Sequence, residues 1–520
     1  MDENLVKEGS EEKIENPQNV VKKNNVNPKK KNFWPTFIII AIIIFSFIIR
    51  IGYFIDTKDQ VVWWDEAEYL VKAKHIAFGT SDEGWNPLRE PLMSIFWALL
   101  YKIGATELII RITSFLFAIL SIYLTYLVGK ELFNEWIGVI SSFLMSIYHQ
   151  HIFFTYRMLI DIPATVFWLL SIYFFWRGFV KQQGKKYIYL TALFLGLGFL
   201  AHYSLLFLGI ILFIFLLITS RFTIFKNKDL WIGLLIIILI ISPYIIWSLI
   251  NYNTPLPRYA TAYQSTQTAT VTFSAWNHYL KYIGIHLQPL LLFLFIFGSI
   301  LFVTNIILSL DLIIKKKEKS TISQLLILLW ILIPLIIYTY VSIYGSGISE
   351  PRYLLLILPP ISIVIATLLL KSYNLLMKRS KLISIAFIIL VIVLSSIWQI
   401  KAADTIINSK KDGLTPAIKQ AGLYLKSKTV PSDTVSINSM QMELQYYSER
   451  RVIGFSSNAS ELQDKISSEN IKYLVINGLY KAEDWTYAFP EQHKDLVEED
   501  QGIYADPEGK QLVLYIYKIK

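Results

Sequence analysis

Apolar runs long enough to cross a bilayer, which takes about 20 residues each, recur along the chain from Phe33 to the Ile397-Trp398 region and then stop. Their spacing predicts eleven spans, at about residues 33–55, 108–128, 136–154, 162–180, 187–201, 203–220, 230–250, 288–310, 323–343, 353–370 and 382–400. From about residue 404 the pattern changes. A helical stretch from Thr415 to Lys426 alternates there with short β-rich runs at Asp433–Ile437, Tyr473–Ile476 and Leu512–Tyr517. The expected fold is an α-helical polytopic membrane protein over residues 33–403, carrying a small α/β domain over 404–520.

Composition and charge sharpen this picture. Of the 520 residues 54% are hydrophobic, above the roughly 45–50% usual in soluble proteins. The net charge of +10 sits in short loops between apolar runs, so it reports membrane orientation and gives no reason to expect nucleic acid. Basic residues end every even-numbered span: Lys130, then Lys181/Lys185/Lys186, then Arg221/Lys226/Lys228, then Lys315 to Lys317, then Lys371/Lys378/Arg379. The alternate loops carry few, among them Arg157, Arg258, Lys281 and Arg352. The positive-inside rule then expects the N-terminus in the cytoplasm, and Asp65, Asp161, Arg352 and the C-terminal domain on the outer side of the cell membrane. That orientation depends on a split between two spans near Ala201-His202-Tyr203. Residues 1–32 are polar and lysine-rich and read as a disordered cytoplasmic tail; the run that follows is too long for a signal peptide. The chain has no cysteine, which excludes disulfides and thiolate metal sites.

The chemistry-bearing residues gather in the outer loops. The first of these, about 56–104, holds Asp65 and Glu66 directly after Trp63-Trp64, with Glu68, Arg89 and Glu90 further on. A loop this long in a helical bundle is usually functional, and partial desolvation by the tryptophans would raise the basicity of a carboxylate. Residues 90–103 are expected to form a helix lying at the interface, with Trp85, Trp97 and Tyr101 at headgroup depth. After the third span, Arg157 and Asp161 stand at an i, i+4 spacing that would pair them, either as a structural ion pair or as part of a site. Before the tenth span, Glu350-Pro351-Arg352-Tyr353 places an arginine where it could bind a phosphate or anchor the interface by snorkelling. His278 and His286 could reach the same cavity or be ordinary loop histidines, while the spacing of His149 and His151 argues against a helical zinc site.

In order along the chain stand Asp65-Glu66 after span one, Arg89-Glu90-Pro91-Leu92 before span two, Arg157, Asp161 and Pro163 after span three, and Glu350-x-Arg352-Tyr353 before a late span. This ensemble resembles the GT-C superfamily of membrane glycosyltransferases, in particular the dolichyl-phosphate-mannose protein mannosyltransferase and aminoarabinose transferase group. The resemblance implies a GT-C fold and transfer of a sugar from a polyprenyl-phosphate donor to a protein hydroxyl, a lipid or a glycan at the outer membrane face. It also implies that Asp65 is the general base of an inverting reaction. Glu66 would complete the acidic pair, Asp161 would shape the site or touch a metal, and Arg89 and Arg352, helped by Tyr353, would stabilise the leaving phosphate. A divalent metal ion on Asp65, Glu66 and Asp161 stays open as a cofactor. The chain departs from the aminoarabinose transferase pattern in having Arg89 in place of a lysine, followed by a single proline. The rival classes are a secondary transporter, which predicts midplane charges and paired halves, and a non-catalytic assembly subunit. An oligosaccharyltransferase fits less well, because the first loop lacks an Asp-x-Asp pattern.

Overall fold

The computed structural model describes residues 33–84, 89–256, 273–309, 319–344, 350–411, 416–504 and 512–520. The expected tail 1–32, together with Trp85, Arg258 and Lys315 to Lys317, lies outside the described residues. The helical body runs through α1 (Trp34–Thr57), α2 (Trp64–Phe78), α3 (Pro91–Lys102), α4 (Glu107–Leu132), α5 (Glu135–Ile147), α6 (His149–Phe154) and α7 (Asp161–Phe175). It continues through α8 (Lys185–Ala201), α9 (Leu205–Ser220), α10 (Lys228–Tyr252), α11 (His278–Leu308), α12 (Lys319–Tyr344), α13 (Leu358–Met377) and α14 (Lys381–Lys411). The C-terminal elements are α15 (Ala417–Lys428), β1 (Thr434–Ile437), α16 (Gln441–Ser448), β2 (Arg451–Gly454), α17 (Ala459–Ser468), β3 (Ile471–Asn477), α18 (Asp484–Gln492), β4 (Val497–Tyr504) and β5 (Leu512–Ile519).

A helix occupies each of the eleven expected positions, and nine helical segments among the described residues are long and apolar enough to cross a membrane. The exceptions are α8, at 17 residues, and the third position, where the chain breaks at Tyr148 into α5 and α6. The core helix is the segment Pro351–Met377, with 83% of its apolar window buried, whereas α10 stands at the rim with 17%. Because lipid offers helices no hydrophobic drive to associate, close approach depends on small residues. At the α4–α5 crossing the ideal Cβ of Gly138 would lie 2.5 Å from the Tyr126 carbonyl oxygen, so only glycine fits.

Interrupted backbone inside a membrane body is tolerated where protein satisfies it or where it lines a cavity. The break at Tyr148 is bridged by Arg50, fully buried in α1, which donates to the Ser146 carbonyl (2.8 Å) and bonds Ser46, Thr155 and His151. Gln399 of α14 accepts from the His149 backbone N–H (3.0 Å) and donates to the His286 and Leu287 carbonyls (2.8 and 3.1 Å). The latter pair precedes a second break at Gln288, where φ is +61° before Pro289. Two further interruptions, at 155–160 and at 202–204, lie next to the pocket described below.

Five strands form one sheet in the order β2-β1-β3-β5-β4, with β1 parallel to β2 and β3, and β5 antiparallel to β3 and β4. The expected strands correspond to β1, β3 and β5; β2 and β4 were not anticipated. Strand β4 reads Val-Glu-Glu-Asp-Gln-Gly-Ile-Tyr and is mostly exposed, so as an edge strand it carries no alternating apolar signal. At the expected domain boundary, α14 runs on to Lys411. One apolar core, moreover, joins the first loop to the sheet, taking in Val62, Tyr69 and Trp97 with Ile418, Leu444 and Val475. The same core takes up Trp97 and Tyr101, expected at headgroup depth, so that they face protein. Both are buried, Trp97 Nε1 donating to Thr113 (3.1 Å) and Tyr101 sharing a hydrogen bond with the Tyr446 hydroxyl (3.0 Å).

Candidate active site

Helix α2 begins at Trp64, so Asp65 and Glu66 both fall in its first turn, where unpaired backbone N–H groups favour negative charge. Their side chains then diverge. Glu66 is fully buried and turned to backbone: one oxygen accepts from Trp63 N–H (2.6 Å), closing the helix start, and the other from Met158 N–H (2.7 Å). Asp65 and Glu68, three residues apart, lie on one helix face with Tyr69. This face meets Arg89 and Arg352. Arg89 donates through Nη2 to Asp65 and through Nε to Glu68, while Arg352 Nη2 donates to the second Asp65 oxygen at 2.5 Å.

Arg89 is held further by the Tyr69 ring, 5.3 Å from its guanidinium carbon. Tyr69 in turn donates to Glu90 (3.0 Å), whose other oxygen accepts from Tyr203 N–H (3.2 Å) at the α8–α9 interruption. Arg352 lies 5.8 Å from the Tyr353 ring, and its Nε is buried with no hydrogen-bond partner among the described residues. Asp65, Tyr69, Arg89, Leu159, Ile160, Asp161, His202, Arg352 and Tyr353 line a partly open pocket of about 20 Å³. Burial opposes ionisation of Asp65, but the Arg89 and Arg352 charges outweigh it and hold its carboxyl below the ordinary carboxylate range. Glu68 goes the other way: burial outweighs Arg89 and raises it.

Of the expected site residues, the pocket therefore gathers Asp65, Arg89, Asp161, Arg352 and Tyr353. The pairing of Arg157 with Asp161 is not present. Residues 155–160 are non-helical, so the i, i+4 rule does not apply, and Arg157 lies 3.6 Å from Glu66, bonds Gln60 (2.9 Å) and stacks at 3.6 Å on the Trp63 ring. Glu350 stands beside Tyr279 and is bonded through its carbonyl to Tyr353 N–H (3.2 Å). His286 is buried and bonds the Pro351 carbonyl (3.2 Å), and His278 lies against the Tyr282 ring; neither lines the pocket.

The sequence places Glu68 in the first outer loop without a role, and gives no signal for Tyr69, His202 and Glu443 as site residues. His202 was read only as a span boundary, yet its Nδ1 accepts from Ser204 N–H (3.1 Å) and its ring lines the pocket. Glu443, on α16, packs against α2 from the C-terminal side, where Tyr447 also accepts from Val62 N–H (3.1 Å). Burial, reinforced by the charges of Glu66, Glu68 and Asp65, pushes the Glu443 carboxyl up to about 7. As for a metal, Asp65 is occupied by arginines and Glu66 by backbone amides, and no group of three or more His or acidic residues among the described residues could hold an ion. As arranged, Asp65, Glu66 and Asp161 do not fit a shared divalent cation.

A carboxylate between two arginines, at the end of a membrane-spanning helical body and beneath a small sheet, can be compared with known proteins. Residues 87–247 match the family model described as dolichyl-phosphate-mannose-protein mannosyltransferase. The fold of this integral membrane protein is that of the GT-C membrane glycosyltransferases. It is similar to ArnT from Cupriavidus metallidurans bound to undecaprenyl phosphate, with a TM-score of 0.63 and 12% identity over 93% of this chain and 98% of that one. It is also similar to the archaeal oligosaccharyltransferase AglB from Archaeoglobus fulgidus in complex with an inhibitory peptide and a dolichol-phosphate (TM-score 0.62, 12% identity, 94% of this chain and 75% of that one). The arabinofuranosyltransferase AftD from Mycobacteria is a third (TM-score 0.56, 9% identity, 94% and 40%). Among curated proteins no sequence matches.

Proposed function

We propose that this protein transfers a sugar from a polyprenyl-phosphate donor to an acceptor hydroxyl on a protein, lipid or glycan, with inversion at the anomeric carbon. Asp65 is the general base: it takes the acceptor's proton as that oxygen attacks the sugar opposite the lipid phosphate. Arg89 and Arg352 hold the phosphate and stabilise the charge that develops as the glycosyl bond breaks. Tyr353 packs beside Arg352, and Asp161 lines the pocket and adds its charge to the field on Arg352. The observation that carries this reading is the convergence of two guanidiniums on the Asp65 carboxylate in one pocket, Arg89 from the same outer loop and Arg352 from 287 residues further on. Similarity to ArnT bound to undecaprenyl phosphate and to AglB with a dolichol-phosphate supports the donor class. The loops bearing Lys130 and Lys181 meet at the end of α4 remote from Arg111, through bonds to Glu135 and Glu131 (2.5 Å each). By the positive-inside rule that end is cytoplasmic, and the Asp65 pocket and the C-terminal sheet are extracytoplasmic.

The test is transfer from a panel of radiolabelled polyprenyl-phosphate sugars into a membrane extract of the producing organism, with wild type and Asp65→Asn compared. Transfer that collapses in the variant supports the assignment. Wild-type protein that transfers from no donor would sink it.

A further inference from the structure

Both oxygens of Asp65 are taken by the same two arginines that the proposed function assigns to the donor phosphate. A carboxylate and a phosphate are rival acceptors for guanidinium N–H groups. The pocket these residues line is small and partly open, with about 20 Å³ of water-accessible space. A phosphate can take the N–H groups that Asp65 now holds only when those bonds give way. Asp65 in this arrangement is also a poor base, because a proton placed on it would sit between two cations.

The two arginines differ in what else holds them. Arg89 is gripped at Nε by Glu68, which is buried and steadied by the Trp64 indole N–H (3.0 Å), and on its face by Tyr69. Only its terminal nitrogens remain to change partner. Arg352 feels the Asp161 charge besides that of Asp65, and it keeps a buried Nε with no hydrogen-bond partner among the described residues, a donor that an incoming anion could satisfy.

We propose that the donor phosphate takes over the Arg89 and Arg352 N–H groups from Asp65, so that binding of the donor releases the base, and that Glu68 is the positioning residue that keeps Arg89 in place during the exchange. This rests on the proposed function. The exchange itself swaps ion pairs and breaks no covalent bond. In the transfer that follows, the acceptor O–H proton goes to Asp65, the acceptor oxygen bonds the anomeric carbon, and the electron pair of the broken glycosyl bond leaves on the lipid phosphate facing the arginines. The base, ionised in both states, is unmasked only when a donor is present, which guards against an ordering in which the acceptor is activated first.

The experiment measures binding of sugar-free undecaprenyl phosphate and dolichyl phosphate to the full chain in nanodiscs, for wild type, Asp65→Asn, Asp65→Ser, Glu68→Gln, Arg89→Gln and Arg352→Gln. Both Asp65 variants should bind the lipid phosphate about tenfold more tightly than wild type, although neither transfers sugar, and both arginine variants should bind it more weakly. In turnover, Glu68→Gln should raise the donor KM about tenfold with kcat within about twofold, and Glu68→Asp should recover most of that loss. Asp65 variants that bind no more tightly, alongside weakened arginine variants, would overturn the exchange and leave the phosphate reading standing. Arginine variants that bind like wild type would overturn both. A Glu68→Gln that lowers kcat at unchanged KM would remove the positioning role.

Discussion

Replacing Glu66 by glutamine probes whether the second acid of the pair serves the chemistry or the backbone. The side chain is fully buried, caps α2 through Trp63 N–H at 2.6 Å, and fixes the interruption before α7 through Met158 N–H at 2.7 Å. Arg157, 2% exposed, lies 3.6 Å away. Burial draws the Arg157 guanidinium down to about 10, so it is charged at neutral pH, with the Glu66 side chain opposite it. A glutamine keeps one carbonyl acceptor and turns an NH2 toward the other backbone N–H, leaving a buried donor unpaired at a cost of about 1–3 kcal/mol. It also removes the charge opposite Arg157; breaking a buried pair costs about 3–5 kcal/mol. The two terms overlap, so the expected loss is about 3–5 kcal/mol in all. Thermal unfolding in detergent should show Tm lowered by roughly 3–5 °C, and hydrogen exchange should show the Trp63 and Met158 amides losing protection. The Glu66→Gln/Arg157→Gln double variant should lose less than the sum of the single losses, by about 1 kcal/mol or more. A Glu66→Gln protein with unchanged Tm and abolished transfer would refute the structural role and return Glu66 to the reaction.

Asp65→Asn should lower transfer by about 10²–10⁴-fold, the usual worth of a general base, with folding intact by size-exclusion chromatography; residual activity within tenfold of wild type would count against the base assignment. Glu443, raised to about 7, binds its proton more tightly folded than unfolded, so its contribution is favourable in acid and stability falls as pH rises from about 4.5 to about 7. Glu443→Gln should remove that slope and raise stability above pH 7 by on the order of 3 kcal/mol; Tm followed from pH 4 to 8 reads it, and a slope that persists in the variant would contradict the placement of the carboxyl. Gly138→Ala should destabilise the α4–α5 crossing, because the added methyl meets backbone at 2.5 and 2.9 Å, while Gly209→Ala, with nothing within 4 Å, should behave as wild type. Equal melting temperatures for the two would argue against the close crossing.

The helical body was legible because bilayer spans need long apolar runs, and the site because acids, arginines and aromatics interrupt them at one end. What escaped the sequence follows a physical pattern. The Arg157–Asp161 pairing failed because it assumed a helix through 155–160, where the chain is irregular and Glu66 competes for the arginine. Glu68 was one acid among several in a loop; only its place on the Asp65 face of α2 distinguishes it, and that face becomes visible once α2 is known to start at Trp64. His202 falls where two spans meet, so hydropathy registered it as punctuation. Glu443 lies in a stretch that meets the first loop across hundreds of residues, Tyr446 bonding Tyr101 at a separation of 345 and Tyr447 bonding Val62 at 385, and no local pattern carries that distance. Strand β4 was missed because an exposed edge has no apolar alternation to detect.

The docking of α16 onto α2 sets a schedule for biosynthesis. Val62 finds its partner Tyr447 385 residues later, and Asp65 finds Arg352 287 residues later. At the roughly 5–20 residues per second of translation, the first of these waits amounts to about 20–80 s. Over that interval the growing polypeptide carries its acidic turn without the arginine and the tyrosines that later enclose it. Under the proposed function, a chain that stops before Arg352 lacks one of the two phosphate-holding arginines and one that stops before Tyr447 lacks the contact to Val62, so transfer is expected only from chains that reach the C-terminal sheet.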